Sequence, residues 1–599
     1  MRLNFHPFLV LSLLLANILI FNKEVRAVTA NPHPVQYTQG DGSVITIQLK
    51  GDEFIHWAET TDGFTIMPNK SGTYEYATLD SDSNLVFSGI QAHNPDTRNA
   101  EEKAFIFKLK PGLFFSKKQT LEMRAQLFSR DNTNGKSLKI GGFPTTGTRK
   151  LIMILANFAD TTTTYTQADF DNYMNQTNYN GIGSFKDYYL EVSYGQLTVN
   201  TTVTVWVTLP ESHDYYGPKY RGGQFAYDAI VAANEDANVD FSEYDNDGDG
   251  YADGVAIIHQ GEGEESSADP NDIWSFSWNL QSAGYTVEET TFDGVIVSEF
   301  TAQPEMNGAE ISAIGVMCHE FGHNLGAPDF YDVDYGDNGY YMGTGHWDLM
   351  ASGNWNGDNG TVPCHHNPWT KALFGWTNPI ELSTRQTVIL RNAQEYTDVV
   401  RYNTKTANEY FLCENRQQTG FDASLPGHGL IIYHVDGNYI DQNLNSNLIN
   451  YNAHQGMYIK AANSPNQSGI STYNLSTIDT DGCPWPGTTN KTSFTDATTP
   501  FARSWAADKT NLPLTNISEN NVTKQISFDF MLSDIYVDKS ALPNGDGTQE
   551  APFQSVTEGL NNASDYTYIH IVSNTYSEAP LSIAQKVRLK STNGATRIK

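Results

Sequence analysis

The sequence predicts a multidomain chain: a central α/β domain of the α+β kind, β-rich segments on both sides of it, and a short β-rich tail. Three observations predict this. At 599 residues the chain exceeds what one hydrophobic core organises, so several units are expected. Hydrophobic residues make up 39% and aromatics 12%, which is enough to fill cores rather than leave the chain disordered. The patterning also switches twice, from short alternating segments to longer apolar runs mixed with helical periodicity, and back again.

Residues 1–30 carry Arg2, an apolar run from Phe8 to Phe21 and the small-residue stretch "NKEVRAVTA". The run is too short to span a bilayer comfortably and predicts a cleaved secretory signal, hence a secreted, extracellular or cell-surface protein. No other segment is long and apolar enough for stable membrane insertion, and no cysteine near the cleavage site supports a lipid anchor. Residues 31–147 open with short alternating strands separated by Asp-Gly, Gly-Asp and Ser-Gly pairs, a hairpin signature. They close in a basic, Gly-rich linker (116–147) whose Lys117, Lys118 and Arg130 would suit a processing protease. The central unit, 148–380, opens with "RKLIMILANFAD", a buried strand by its continuous apolar run. From 381 to 534, runs such as "QTVILRN", "EYFLCEN" and "GLIIYHVD" predict a separate β-rich domain packed behind it. The tail, 535–599, has one short helix and strands at short intervals, resembling the opening of a pectin-lyase-like parallel β-helix, too short to bury its own faces.

The net charge of −32 would repel phosphate and excludes nucleic acid as a partner. The four cysteines, Cys318, Cys364, Cys413 and Cys483, allow three pairings among which the sequence does not choose; a buried free thiol suits Cys318 equally well.

The chemistry concentrates in "CHEFGHNLGAPDFYD". His319 and His323 stand at i and i+4, so on a helix both imidazoles leave one face and can grip one ion. Glu320 between them is placed to act as general base on a zinc-bound water rather than as a ligand. Gly326 permits a sharp turn, and Asp329 arrives ten residues after His319, at the spacing where the metzincin pattern returns its third ligand. Met350 follows 21 residues later in a Ser/Gly-bounded turn, as the apolar floor of a Met-turn. An H-E-x-x-H pattern by itself arises often by chance; four coincidences in register do not.

A second stretch, "YDNDGDGYADG", sets Asp245, Asp247 and Asp249 at alternate positions, followed by Gly250, Tyr251 and Asp253. This is the front half of an EF-hand loop, with the Tyr251 carbonyl as a further oxygen, and it predicts calcium. Ala256 stands where the bidentate glutamate would be; the alternative is a plain Asp-Gly turn. Asp332, Asp334 and Asp337 form a weaker cluster, best taken as a polar turn. His365 and His366 are expected as loop histidines, His434 as a hydrogen-bonded core histidine, and "GEGEE" (261–265) as a solvated loop.

The strings "SFKDYYLEVSYGQLTV", "YDNDGDGYADGVAIIHQGEGEE", "HEFGHNLGAPDFYD", "GTGHWDLMASGNWNGDNGTVPCHHNPWTKALFGW" and "FLCENRQQTGFDASLPGHGLIIYHVD" resemble the immune inhibitor A family of secreted metallopeptidases. "GDEFIHWAETTDGFTI" resembles that family's propeptide, so the likeness covers roughly 31–530. The resemblance implies a metzincin-like, secreted zinc endopeptidase acting on proteins or peptides and made as a zymogen inhibited by its own propeptide. It implies His319, His323 and Asp329 as zinc ligands and Glu320 as the catalytic acid/base. No cysteine precedes Cys318, so a propeptide thiol cannot occupy the metal; steric blockage or an Asp, Glu or His donor remains. The competing expectation is a protease-like surface binding or adhesion protein without turnover, against which the intact Glu320 argues. A carbohydrate-active protein, suggested by the tail, lacks an acidic cleft. Oligomeric state is open.

Overall fold

The structure, a computed structural model, describes residues 28–127, 142–335, 339–531 and 534–599, apart from 546, 548, 550 and 564–566. The signal segment up to residue 27, Arg130 and most of the basic linker, and Asp337 lie outside the described residues.

The N-terminal segment forms a six-stranded antiparallel meander in which every strand pairs with its neighbour in sequence, from Val35–Thr38 to Leu85–Gln91. Turn glycines such as Gly42, Gly63 and Gly72 take positive φ, which tight hairpins demand and side chains resist. Ile45, Ile47, Ile66 and Tyr76 from this sheet share one core with Phe225, Trp274 and Tyr331 of the next unit. The meander is therefore docked on the central unit rather than tethered beside it.

The central sheet runs in the order Phe276–Asn279, Glu299–Asn307, Val255–Glu262, Gly147–Asn157, Leu197–Thr208. The last four are mutually parallel and Phe276–Asn279 is an antiparallel edge. The expected opening strand, Gly147–Asn157, lies inside the sheet between Val255–Glu262 and Leu197–Thr208, and its residues Leu151–Ala156 are inaccessible to solvent. Alternation divides them: Ile152, Ile154 and Ala156 enter one core, Leu151, Met153 and Leu155 the other. Under that second face lies the helix Ile314–Asn324, all of whose residues are buried. Phe321 on it meets Phe143, Phe185 and Tyr189 with ring centroids 4.7, 5.1 and 5.0 Å apart.

The block from 381 to 534 is β-rich, but half of it has no core of its own. Its five-stranded sheet places Leu412, Ile431, Tyr433 and Met457 in the core that holds the helix Ile314–Asn324. The other face, with Phe411, Cys413, Leu430 and Ile432, packs on a three-stranded sheet carrying Val388, Phe528 and Leu514. Strand period sends neighbouring residues to opposite faces, and both faces here are apolar. Relative to the separate domain expected from the sequence, this sheet is a wall of the central unit. The tail has a small core of its own around Ile535, Val537, Ile569 and Ile571, and pairs its strands in parallel. All four cysteines are free and buried. Among the described residues no helix is long and apolar enough to cross a membrane.

Candidate metal centre

His319 and His323 leave the same face of the buried helix, one turn apart. His319 Nδ1 donates to the Leu349 carbonyl at 2.8 Å and His323 Nδ1 to the Ala327 carbonyl at 2.9 Å. Each bond spends the Nδ1 proton, so both Nε2 atoms present lone pairs. Gly326, at φ 105°, reverses the chain after the helix and brings Asp329 back to it. Asp329 Oδ1 lies 3.2 Å from His319 Nε2 and 3.5 Å from His323 Nε2. Two imidazole lone pairs and a carboxylate oxygen thus converge with no proton of their own to share. A divalent cation satisfies all three, and a His₂Asp donor set suits zinc. The donor atoms lie within 4.8 Å of one another.

Asp329 is buried, with Oδ1 the oxygen turned toward the two imidazoles. Its other oxygen, Oδ2, accepts from Asn447 Nδ2 at 2.6 Å, while the Asp329 N–H donates to Asn447 Oδ1 at 2.9 Å. Asn447 sits 118 residues downstream at φ 52°, and nothing in the sequence singled it out. It comes from the β-rich block, which therefore reaches into the centre. Glu320 is fully buried; burial first, then the charges of Asp329 and Glu265, push its carboxyl well above the ordinary range.

Met350 is solvent-inaccessible and lies against the helix at Gly322, where a Cβ would stand 2.6 Å from its Sδ. The turn carrying it is tied by Asp348, which accepts from Thr344 Oγ1 at 2.9 Å, Asn367 Nδ2 at 2.7 Å and the Asn367 N–H at 3.0 Å. That turn also supplies the Leu349 carbonyl that orients His319. In the sequence, the Asp immediately before "LM" is the residue that marks this turn.

The structure brings Asp245, Asp247 and Asp249 together, with carboxylate oxygens within 4.8 Å. Asp245 accepts from the N–H groups of Gly248, Asp249 and Gly250, Asp249 from Tyr251, and buried Asp253 from Asn246 at 2.7 Å. The loop also closes on hydrogen bonds from its own backbone N–H groups to these side chains, as an Asp-Gly turn does.

Three further expectations fare differently. "GEGEE" is no solvated loop: Glu265 is 1% exposed, its carboxylate accepts from the Ser275 hydroxyl and N–H, and burial lifts its pKa to about 7. The reason is the N-terminal segment, whose Asn31 N–H donates to the Glu265 carbonyl and covers the stretch. His365 and His366 lie between regular elements yet are fully buried; His365 bridges Glu191 at 2.9 Å and Lys371 at 2.9 Å. His434 is the expected core histidine, held by Glu409 at 2.7 Å and the Tyr458 hydroxyl at 3.0 Å.

Residues 148–377 match the family described as immune inhibitor A peptidase M6, catalytic domain. The chain is similar to Immune inhibitor A of Bacillus thuringiensis subsp. alesti, 33% identical over 241 residues that cover 34% of each chain. It is also similar to Pre-pro-metalloprotease PrtV of Vibrio cholerae serotype O1 (strain M66-2), 28% identical over 241 residues covering 34% of this chain and 25% of that one. The likeness thus spans about a third or less of the length of these relatives. The helix with its two histidines, the returning aspartate and the turn at Met350 all lie within residues 148–377, the stretch that matches the catalytic-domain model of the immune inhibitor A (M6) peptidase family.

Proposed function

We propose that the protein is an exported zinc-dependent endopeptidase that hydrolyses peptide bonds in proteins and is made as a zymogen, with residues 31–147 as its inhibitory propeptide. The observation that carries this reading is the convergence of His319 Nε2, His323 Nε2 and Asp329 Oδ1 on one buried point beside Glu320.

Zinc, when bound, supplies Lewis acidity that polarises the scissile carbonyl and acidifies the attacking water. Glu320 takes the proton from that water and returns it to the departing amine. The buried surroundings that raise its carboxyl suit a group that must hold a proton between those two steps. His319 and His323 are locked in one tautomer by carbonyls, and Asp329 is aimed by Asn447, so the donor set is held in place before any ion arrives. Met350, buried against Gly322, packs on the helix that carries the two histidines. Calcium is no part of this reading. The parallel strands of the tail support its reading as the start of a parallel β-helix.

Metal analysis of the purified chain should find stoichiometric zinc, and the processed form should cleave casein. A chelator should abolish cleavage and added zinc restore it; His323→Ala should lose both metal and activity. Cleavage that persists in metal-stripped protein would sink the reading, and a correctly processed, zinc-replete form that never cleaves would favour a binding protein. Asn447→Ala should weaken zinc binding by about 10–100-fold, read by competition with a chromophoric chelator, because it frees Asp329 to turn away. Unchanged affinity would show that Asp329 needs no support from the β-rich block.

A further inference from the structure

Strand Val44–Gly51 of the N-terminal sheet carries Lys50, a lysine only 7% exposed. Lysine is almost never buried unless something pairs with its charge. The partner here is aromatic: the Lys50 ammonium bonds the Tyr473 hydroxyl and stands 3.9 Å from the centroid of that ring. Tyr340 stacks on Tyr473, with ring centroids 5.0 Å apart and planes at 9°. Aromatic faces attract a cation through the ring quadrupole, and they serve any ammonium or guanidinium that reaches them.

The ring pair owes its shape to its own backbone and not to Lys50. The Tyr473 N–H donates to the Tyr340 carbonyl at 2.9 Å, the Met342 N–H to the Ser471 carbonyl at 3.1 Å, and Tyr341 bridges Thr472 between them. Buried Asp332 fixes the same stretch by accepting from the Tyr341 N–H at 3.1 Å.

Two sets of contacts join the pair to the metal centre. The loop that carries Tyr340 follows Asp329 and closes on its neighbour, the Thr344 N–H donating to the Phe330 carbonyl at 3.2 Å. On the other side, Lys50 is followed by Gly51, whose carbonyl accepts from the Ala30 N–H at 2.8 Å, and Val28 packs on Val316 and Trp355. Val316 stands one turn before Glu320 on the buried helix, on the same face. An extended peptide gains about 3.3–3.6 Å per residue, so a substrate lying across the helix at Val316 reaches the ring pair within a few residues.

We propose that Tyr473 and Tyr340 form a cation subsite that takes a lysine or arginine side chain of an extended protein substrate, and that Lys50 fills it in the unprocessed chain. This rests on the reading of the chain as an endopeptidase whose residues 31–147 are removed. Departure of Lys50 leaves the rings held by their backbone, and Tyr473 is already 43% exposed. The net charge of −32 draws cationic segments toward the chain, and the subsite gives that attraction a position.

The test uses the full chain after proteolytic removal of that segment and loading with zinc. Quenched fluorescent peptides of one sequence carry lysine, arginine, norleucine or glutamate at one position at a time. At one position, lysine and arginine should lower KM by about 3- to 30-fold against norleucine, and glutamate should raise it. kcat should change little, because the contact lies away from the reacting atoms. Tyr473→Leu should erase the ratio between lysine and norleucine peptides, whereas Tyr473→Phe, which keeps the ring, should retain most of it. Tyr340→Leu should reduce the ratio and serves if thermal unfolding shows that Tyr473→Leu does not fold. Cleavage without a preference for lysine at any position, or a preference untouched in the folded variants, overturns the subsite and leaves the peptidase reading intact. A processed, zinc-loaded form that cleaves none of the peptides overturns the peptidase reading and the subsite with it.

Discussion

Glu320→Gln is expected to lower kcat/KM for casein cleavage by about 10²–10⁴-fold, the range that one positioned acid/base supplies, while the processed chain keeps its metal. Glutamine preserves the shape of the side chain and removes only its capacity to take and return a proton. The site gives the substitution no structural reason to harm the fold. Glu320 is buried beside like charges from Asp329 and Glu265, so a neutral amide relieves repulsion. Thermal stability should therefore hold or rise as activity falls, a pairing that a structural role for Glu320 would not produce. Zinc content equal to wild type together with undiminished cleavage would remove Glu320 from the mechanism.

Arg416→Leu is expected to cost about 3–5 kcal/mol of stability, as removal of one partner from a fully buried ion pair does. Arg416 is inaccessible to solvent and reaches both oxygens of Asp422 at 2.6 Å, Glu414 at 3.1 Å and the Trp347 carbonyl at 2.8 Å. Asp422 also accepts from the His365 N–H and from Gln394. Burial would raise the Asp422 carboxyl, but Arg416 overrides it and holds the group well below its usual range. Without the guanidinium, Asp422 and Glu414 stay buried with that charge uncompensated. The sign with pH follows: a depressed folded pKa contributes stability fully present above the ordinary carboxyl range and lost as pH falls through the folded value. The difference between wild type and variant should therefore be largest at neutral pH and shrink on acidification, measured by urea unfolding followed through tryptophan fluorescence. Arg416→Leu combined with Asp422→Leu should recover part of the loss. A change below about 1 kcal/mol at neutral pH, the level of an exposed pair, would show that the cluster is solvated in practice. Because Arg416 holds the Trp347 carbonyl three residues before Met350, the same substitution should also loosen the Met-turn.

The convergence of His319, His323 and Asp329 was legible because their geometry is local. Two histidines at i and i+4 face one way on any helix, and Gly326 and Asp329 follow within one turn of chain. The strand Gly147–Asn157 was legible because a parallel strand buried on both faces is written as one apolar run. The hairpins of the N-terminal sheet announced themselves through their Asp-Gly and Ser-Gly pairs. In each case neighbours in sequence are the interacting parties, so period and spacing carry the information.

Asn447, Glu265 and Glu53 were not legible, and for one physical reason. Asn447 is one polar residue in a run of Asn and Leu; its role exists because a sheet from the β-rich block forms a wall of the central unit. Glu265 sits in a string of glycines and acids that by composition belongs in water, yet the N-terminal segment covers it. Glu53 occupies a turn that composition assigns to the surface, and docking of the whole meander buries it. Composition and periodicity report what a segment prefers when its neighbours are those beside it in the chain. They say nothing of which distant surface will be brought against it, since burial arises from the contacts of many residues far apart in sequence. The candidate donor set was thus written in about a dozen consecutive residues, whereas the contact from Asn447 that supports it and the burial around it come from packing among distant segments of the chain.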